Sequence, residues 1–174
     1  MCKKHISDIK GEVFYFGIPV HVIKGNSDKG VSDEIKILQI SRLIEKKGIF
    51  LTLGAIKILS GILPKEIKCK LDIVGDGPIK EDIIKMILEY GISKYVCLQG
   101  NLSYDQTLDL LADTDIYMQP SIIAKDGDSE GLSNSVLEAM TANKYIVTTE
   151  FTGIQEIIEH KDFPVFILPL YRWC

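Results

Sequence analysis

From residue 35 onward, the chain alternates short apolar runs with segments that have a helical pattern. Each run is rich in Ile, Val, Leu or Tyr and bounded by Gly, Ser, Asp or Pro, which is typical of buried strands. The pattern predicts strands at residues 35–40, 70–74, 95–99, 115–119 and 145–149, with a sixth candidate at 163–170.

The intervening segments carry apolar residues at helical spacing. Ile83 and Ile87 share one face of a segment that begins after Pro78 and ends before Gly91, residues suited to a first helical turn and a C-terminal cap. Ser103 and Gln106 have the spacing of a capping box. Another helix is predicted from residue 48 to about residue 60. A further apolar stripe comprises Leu132, Val136, Ala139 and Met140.

Repeated strand–helix alternation predicts right-handed crossovers and a parallel sheet covered on both faces. We therefore predict an α/β fold, Rossmann-like, with one sheet and helices on both faces. Residues 1–34 contain an apolar segment and a turn-rich stretch at 24–30, and they are too few to form a second domain. The predicted domain covers residues 35–174.

Composition excludes several classes of protein. The chain has 174 residues with 20 Lys and Arg against 24 Asp and Glu, a net charge of −4, which argues against binding to nucleic acid. With 46% hydrophobic and 25% charged residues, it is typical of a folded domain. Its four cysteines form no C-x-x-C pair, and no apolar stretch near the start is long enough for a bilayer. We expect a reducing, cytoplasmic location.

Two basic residues follow the first predicted strand, at the edge of the sheet where ligands bind in this fold class. Arg42 and Lys47 lie between this strand and the next helix. Two cations beside the free N–H groups of a helix N-terminus are suited to a diphosphate. A solvated loop is the alternative. The chain has neither a G-x-G-x-x-G motif nor a P-loop.

Two acidic residues flank the start of the helix that follows the fourth strand. Glu130 and Glu138 are eight residues apart, or about 12 Å if the segment is helical. That is too far for the acid/base pair of a glycoside hydrolase. The two could instead contact separate parts of an elongated ligand, one at a sugar and one at a ribose. The N–H groups of Gly131, Leu132, Ser133 and Asn134 would then face a phosphate or sugar oxygen. A helix-capping Glu130 and a solvent-facing Glu138 are the alternative.

Other polar residues are weaker candidates. Asp126 and Asp128 have D-x-D spacing, but an oxygen-ligand metal site usually needs more than two carboxylates in a row, so we assign no metal. The three histidines, at positions 5, 21 and 160, belong to no recognisable catalytic pattern.

Taken in order, these segments resemble the donor-binding half of the GT-B-fold retaining glycosyltransferases of group 1 (family 4). Residues 41–48 resemble the family's G-R-L-x-x-x-K-G, with Ser41 in place of the first glycine. Residues 73–78 resemble its V-G-D-G-P turn, 98–100 its L-x-G segment and 115–121 its D-x-x-x-x-P-S segment. Residues 130–138 resemble its E-x7-E motif, and 153–157 its G-I-x-E-I run. The resemblance covers about residues 35–160.

The resemblance implies roles for the matching residues. Arg42 and Lys47 would bind the donor diphosphate and stabilise charge on the leaving group. Glu130 would hold the transferred sugar, Glu138 would bind the ribose, and the N–H groups of residues 131–134 would bind sugar and phosphate. Asn101 or Leu102 would lie near the nucleobase. Neither a cofactor nor a metal is implied, and the partner is a nucleotide diphosphate sugar.

The family places its active site between two Rossmann-like domains. Residues 1–34 resemble only the end of the acceptor-binding domain and the linker. We therefore expect a donor domain that binds a nucleotide sugar weakly and transfers little sugar unless an acceptor-binding domain or chain is supplied. Related enzymes build bacterial surface polysaccharides and glycolipids, so the site would be cytoplasmic, either free or peripheral at the inner face of the membrane. The alternatives are a non-catalytic interaction or regulatory domain and a GT-B-type sugar-nucleotide epimerase.

Overall fold

The computed structural model describes residues 34–150, 154 and 164–168. The predicted remnant of an acceptor domain and linker, residues 1–34, lies outside this part of the chain except for Glu34. So do the three histidines and all of the 153–157 motif except Ile154.

In the part of the chain that the structure describes, six strands and four α-helices follow the predicted alternation. The strands are β1 (Glu34–Ile40), β2 (Lys68–Val74), β3 (Val96–Gly100), β4 (Ile116–Gln119), β5 (Tyr145–Thr149) and β6 (Val165–Leu168). The helices are α1 (Ile49–Ile62), α2 (Lys80–Tyr90), α3 (Tyr104–Ala112) and α4 (Asn134–Thr141). A short 3-10 helix, Glu45–Lys47, was not predicted and lies between β1 and α1.

All five pairings are parallel, and the strand order is β3-β2-β1-β4-β5-β6. The first strand in the sequence, β1, is therefore central: β2 and β3 lie on one side of it, and β4, β5 and β6 lie on the other. In this topology the loops after β1 and β4 diverge and leave a crevice at the carboxyl edge. The predicted Rossmann-like fold is confirmed.

Successive residues of the central strand point to opposite faces of the sheet and start two cores. Ile37 belongs to the core that packs α1 and α2 against one face, and Leu38 belongs to the core that packs α3 and α4 against the other. Both side chains are buried. Because both faces are covered, the strands read as nearly continuous apolar runs.

Close backbone contacts position the loop that follows β1. Gly48, at φ +65°, joins the 3-10 helix to α1, and a Cβ built on it would lie 1.7 Å from the carbonyl oxygen of Pro120. A Cβ on Gly75 would lie 2.0 Å from the carbonyl oxygen of Ser41. The glycines therefore allow the turns after β1, β2 and β4 to touch.

Two helix boundaries differ from the predictions. Helix α1 continues to Ile62, beyond the expected end near residue 60. Helix α4 begins at Asn134 with Ser133 as its N-cap, so Leu132 precedes the helix instead of lying on its apolar stripe. Leu132 has the spacing of the stripe, but it lies in the loop before the helix and lines a cavity.

Gly48→Ala is expected to lower the free energy of unfolding by more than about 2 kcal/mol, because the new Cβ combines left-handed strain with a clash against Pro120. Gly61→Ala is the matched control: Gly61 lies inside α1 and a Cβ there meets nothing within 4 Å. That control is expected to gain about 0.5–1 kcal/mol. Urea unfolding measures both, and equal effects would contradict the close packing at Gly48.

Candidate functional site

A cavity of about 610 Å³ opens at the carboxyl edge of the sheet, where the loops after β1 and β4 diverge. Its walls come from segments after four strands. The lining residues are Ile40, Ser41, Arg42, Lys47, Val74, Gly75, Asp76, Asn101, Leu102, Thr107, Glu130, Leu132, Ser133, Asn134, Ser135 and Glu138. Of the predicted site residues, all but Gly131 line this cavity; Gly131 is exposed beside it.

The two predicted cations differ in environment. Arg42 is exposed at the mouth of the cavity, just after β1. Lys47 ends the 3-10 helix, and its side chain is only 14% exposed. Its backbone carbonyl accepts a hydrogen bond of 2.9 Å from the buried Gln39 amide, whose oxygen in turn accepts from Thr52 at 2.7 Å. The Lys47 backbone is thus fixed from beneath the cavity.

Lys47 and Glu130 form an ion pair inside the cavity. The Glu130 side chain is 12% exposed, so both partners have lost most of their hydration. Removal of one partner from such a buried pair would leave the other charge uncompensated, so the pair is stable only while both charges are present. The cationic loop after β1 and the acidic segment after β4 are therefore joined inside the cavity by opposite charges.

Further contacts hold the same two loops together outside the cavity. Lys46 Nζ lies 3.0 Å from the Asp128 carboxylate, and the Lys46 carbonyl accepts from the Ile122 N–H at 2.9 Å. Asp128 N–H also donates to Asp126 Oδ1 at 3.0 Å. The two D-x-D carboxylates thus have partners in the loop. Within the described residues, no group of three or more His, Cys, Asp or Glu side chains is arranged to hold a metal ion.

The N-terminus of α4 faces the cavity, but fewer of its N–H groups belong to the helix than predicted. Because the helix begins at Asn134, Gly131 and Leu132 lie in the preceding loop. The Leu137 N–H is the first to bond within the turn, to Ser133 at 3.1 Å. The first-turn N–H groups are those of Asn134, Ser135 and Val136, which lack an intrahelical acceptor. The 12 Å estimate for Glu130 and Glu138 does not apply, since only part of that segment is helical.

Glu138 lies within α4 and is half-buried. Burial raises the pKa of its carboxyl group, and a hydrogen bond from the Tyr104 hydroxyl opposes this change. Tyr104 is the first residue of α3, which follows the loop containing Asn101 and Leu102. Glu138 therefore lies beside the start of α3, close in sequence to Asn101 and Leu102, whereas Glu130 is paired with Lys47.

A buried polar network lies under the α4 side of the cavity and was not predicted. Gln119, fully buried at the end of β4, has its Oε1 3.0 Å from the Tyr117 hydroxyl, 3.2 Å from Ser133 Oγ and 3.0 Å from Ser135 Oγ. The Tyr117 hydroxyl also lies 3.2 Å from the Ile40 carbonyl. Burial raises the pKa of Tyr117, which keeps its hydroxyl as a donor. The sequence did contain a signal for this network, because Gln119 is a polar residue at the end of an apolar strand. The pattern analysis treated it only as the last residue of that strand.

The family model of the group 1 glycosyl transferases matches residues 25–168. The chain belongs to the group 1 glycosyltransferases. The resemblance inferred from the ordered motifs is confirmed. Within the described residues, no helix combines the length and apolar character needed to cross a bilayer.

The relatives that are similar to this chain include two bacterial glycosyltransferases. The amylovoran biosynthesis glycosyltransferase AmsK of Erwinia amylovora is 32% identical over 127 residues, covering 72% of this chain and 30% of the relative. The putative colanic acid biosynthesis glycosyltransferase WcaL of Escherichia coli is 28% identical over 131 residues, covering 75% and 32%. The structure of TarM aligns with TM-score 0.67 and 25% identity over 86% of this chain and 28% of TarM. This chain spans about a third of the length of the curated relatives.

Glu138→Gln is expected to raise the melting temperature of the ligand-free protein at pH 7 by a few degrees at most. The folded state raises the pKa of Glu138. The ionised carboxylate therefore destabilises the folded protein at a pH above the ordinary titration range of a glutamate and has no such effect at a pH below it. The difference should shrink toward zero as the pH falls below that range. Calorimetry at pH 7 and at a pH below that titration range measures the difference in melting temperature, with Glu66→Gln, at an exposed position, as the control. A gain that persists at low pH would contradict the electrostatic cause.

Proposed function

We propose that this chain is the donor-binding part of a retaining glycosyltransferase and binds a nucleotide diphosphate sugar in the cavity at the carboxyl edge. The observation that carries the proposal is that Arg42, Lys47, Glu130 and Glu138 line one cavity beside the α4 N-terminus. These side chains come from separate loops and a helix, and a solvated-surface explanation gives no reason for them to converge.

Arg42 and Lys47 bind the diphosphate in this proposal. When the bond from the sugar anomeric carbon to the diphosphate oxygen breaks, negative charge grows on that oxygen. The guanidinium and ammonium groups stabilise this charge in a partly dehydrated site, where electrostatic interactions are strong. The N–H groups at the start of α4 add positive partial charge on the opposite side.

Glu130 binds hydroxyls of the transferred sugar, and Glu138 binds those of the ribose. In the ligand-free cavity, Lys47 is already paired with Glu130. A diphosphate replaces the carboxylate as the partner of Lys47 and leaves Glu130 to accept hydrogen bonds from the sugar. Asn101 and Leu102 lie on the Glu138 side, where the nucleobase would follow the ribose.

The proposed whole protein transfers the sugar to an acceptor held by a second domain or chain, in the synthesis of a polysaccharide or glycolipid. Its similarity to AmsK and WcaL, whose names give amylovoran and colanic acid biosynthesis, supports this process. We propose a cytoplasmic location that includes the inner face of the membrane, and chemistry without a bound metal or cofactor.

Isothermal titration with UDP, GDP and ADP tests the diphosphate site. Arg42→Ala/Lys47→Ala should weaken binding of the preferred nucleotide at least about tenfold, because each change removes a charge-assisted contact. Lys46→Ala is the matched control: it removes a lysine from the same loop, but one whose ammonium lies 3.0 Å from Asp128. Equal affinity in the parent and the double variant would favour a non-catalytic domain.

Glu130→Gln should separate the contribution of the sugar to binding from the contribution of the diphosphate. Loss of the carboxylate frees Lys47, so the free nucleoside diphosphate should bind several-fold more tightly, whereas the additional affinity gained from the attached sugar should fall. Titration with UDP and UDP-glucose, GDP and GDP-mannose, and ADP and ADP-glucose measures both effects. Parallel changes for the free and sugar-bearing nucleotide would contradict the role of Glu130.

A further inference from the structure

The residue that precedes α4 is a serine that does not cap its helix. Serine is favoured at this position because its hydroxyl oxygen accepts a hydrogen bond from the second or third N–H group of the helix. Ser133 has the extended backbone of an N-cap, with φ −85° and ψ 122°, yet its side chain accepts no such bond. Ser103 does cap α3, and its Oγ accepts from the Gln106 N–H at 3.3 Å. The residue type and the extended backbone therefore do not explain the uncapped start of α4.

The buried amide of Gln119 accounts for the difference between the two helices. Ser133 Oγ lies 3.2 Å from Gln119 Oε1 and 3.0 Å from Ser135 Oγ, so the hydroxyl group is turned toward the buried network. Because Gln119 is fully buried, its amide oxygen is costly to leave without a hydrogen-bond donor. Ser133 therefore donates to the end of β4 instead of accepting from its own helix.

The uncapped N–H groups belong to the wall of the cavity at the carboxyl edge. Asn134 and Ser135, the first two residues of α4, line this cavity. Among the residues that the structure describes, none accepts a hydrogen bond from the N–H groups of this first turn. The wall after β1 contains Ser41, whose Oγ is buried and has no hydrogen-bond partner in the described part of the chain. Unpaired donors in both walls suit a ligand with several acceptor oxygens.

We propose that Gln119 is a positioning residue for the donor diphosphate. By accepting a hydrogen bond from Ser133, its amide oxygen keeps the serine hydroxyl away from the helix, so the first-turn N–H groups stay free to bind phosphate oxygens. A released Ser133 hydroxyl would cap α4 through the N–H of Ser135 or Val136 and would compete with the ligand. The inference rests on the proposed function and adds a residue, Gln119, that does not itself line the cavity.

A purely structural brace is the alternative role for the same contacts. Gln119 also accepts from the Tyr117 and Ser135 hydroxyls, at 3.0 Å each, and the bond from Ser135 joins β4 to α4. The two roles differ in their dependence on the Ser133 hydroxyl. Loss of a brace weakens the site whether or not residue 133 carries a hydroxyl group, whereas competition for the N–H groups requires that hydroxyl.

Isothermal titration with UDP, GDP and ADP separates the two roles in a double-mutant cycle. Gln119→Met removes the acceptor oxygen and keeps an unbranched side chain of similar length. It should weaken binding of the preferred nucleotide about fivefold in the parent, which is the effect of a typical N-cap. In the Ser133→Ala background, the same change should weaken binding less than about twofold, because no hydroxyl remains to cap the helix. Equal losses in both backgrounds would assign Gln119 to bracing alone and overturn the inference.

Hydrogen exchange of the ligand-free protein tests the competing cap without a nucleotide. Gln119→Met should slow exchange of the Ser135 or Val136 N–H about fivefold, since the released hydroxyl then protects one of them. The protection should disappear in Gln119→Met/Ser133→Ala. Unchanged or faster exchange in the single variant would contradict the proposed competition and overturn the inference.

Gln99→Met is the matched control. Gln99 lies near the end of β3 and donates through its amide to Asp72 at 2.5 Å, but it does not line the cavity. This variant should keep the nucleotide affinity within about twofold even where it lowers the melting temperature, because its lost contact lies outside the site.

Circular dichroism checks that each variant is folded, and Gln119→Leu replaces the methionine variant if that protein does not fold. Loss of the fold in both would limit the amide to a structural role and overturn the inference. Binding by the parent that depends on Arg42 and Lys47, without coupling between Gln119 and Ser133, would overturn the inference and leave the proposed function standing. No binding by the parent would overturn both.

Discussion

The α4 side of the site depends on a single buried amide. Gln119 ends β4 inside the protein, and its oxygen lies within hydrogen-bond distance of three hydroxyls: Tyr117 on its own strand, and Ser133 and Ser135 at the start of α4. The Tyr117 and Ser135 hydroxyls also reach the Ile40 carbonyl, and Ser133 Oγ and Ser135 Oγ lie 3.0 Å apart, so the amide oxygen belongs to a network that joins β1, β4 and α4. The amide therefore fixes the start of α4 relative to the sheet. The helix in turn carries Glu138 to one end of the cavity.

A second constraint joins the loops that follow β1 and β4. Gly48 touches Pro120, Lys46 pairs with Asp128, and Lys47 pairs with Glu130. The first contact is steric, the second is partly exposed and the third is nearly dehydrated. Surface pairs contribute little on their own, so the steric contact and the inner pair determine the separation of the walls.

Much of the fold and part of the site could be predicted from the sequence. Apolar runs and the capping box at Ser103 placed the strands and α3, because local periodicity and local hydrogen bonds determine those elements. Arg42, Lys47, Glu130 and Glu138 were found because the carboxyl ends of parallel strands meet at one edge. The 3-10 helix, the start of α4 at Asn134 and the role of Gln119 were missed. They depend on contacts between segments that are far apart in the sequence, and such contacts cannot be read from the pattern of neighbouring residues.

The central position of β1 has a consequence for the direction in which a ligand can lie. Cations come from the loop after β1, whereas carboxylates come from the segments after β4, so the cavity is electrically asymmetric across the gap between two neighbouring strands. The two carboxylates have different neighbours, because Lys47 pairs with Glu130 and the Tyr104 hydroxyl lies beside Glu138. An elongated molecule with an anionic middle and two different ends therefore meets different groups when it is turned end for end. The order of the strands therefore favours one direction for a bound elongated molecule.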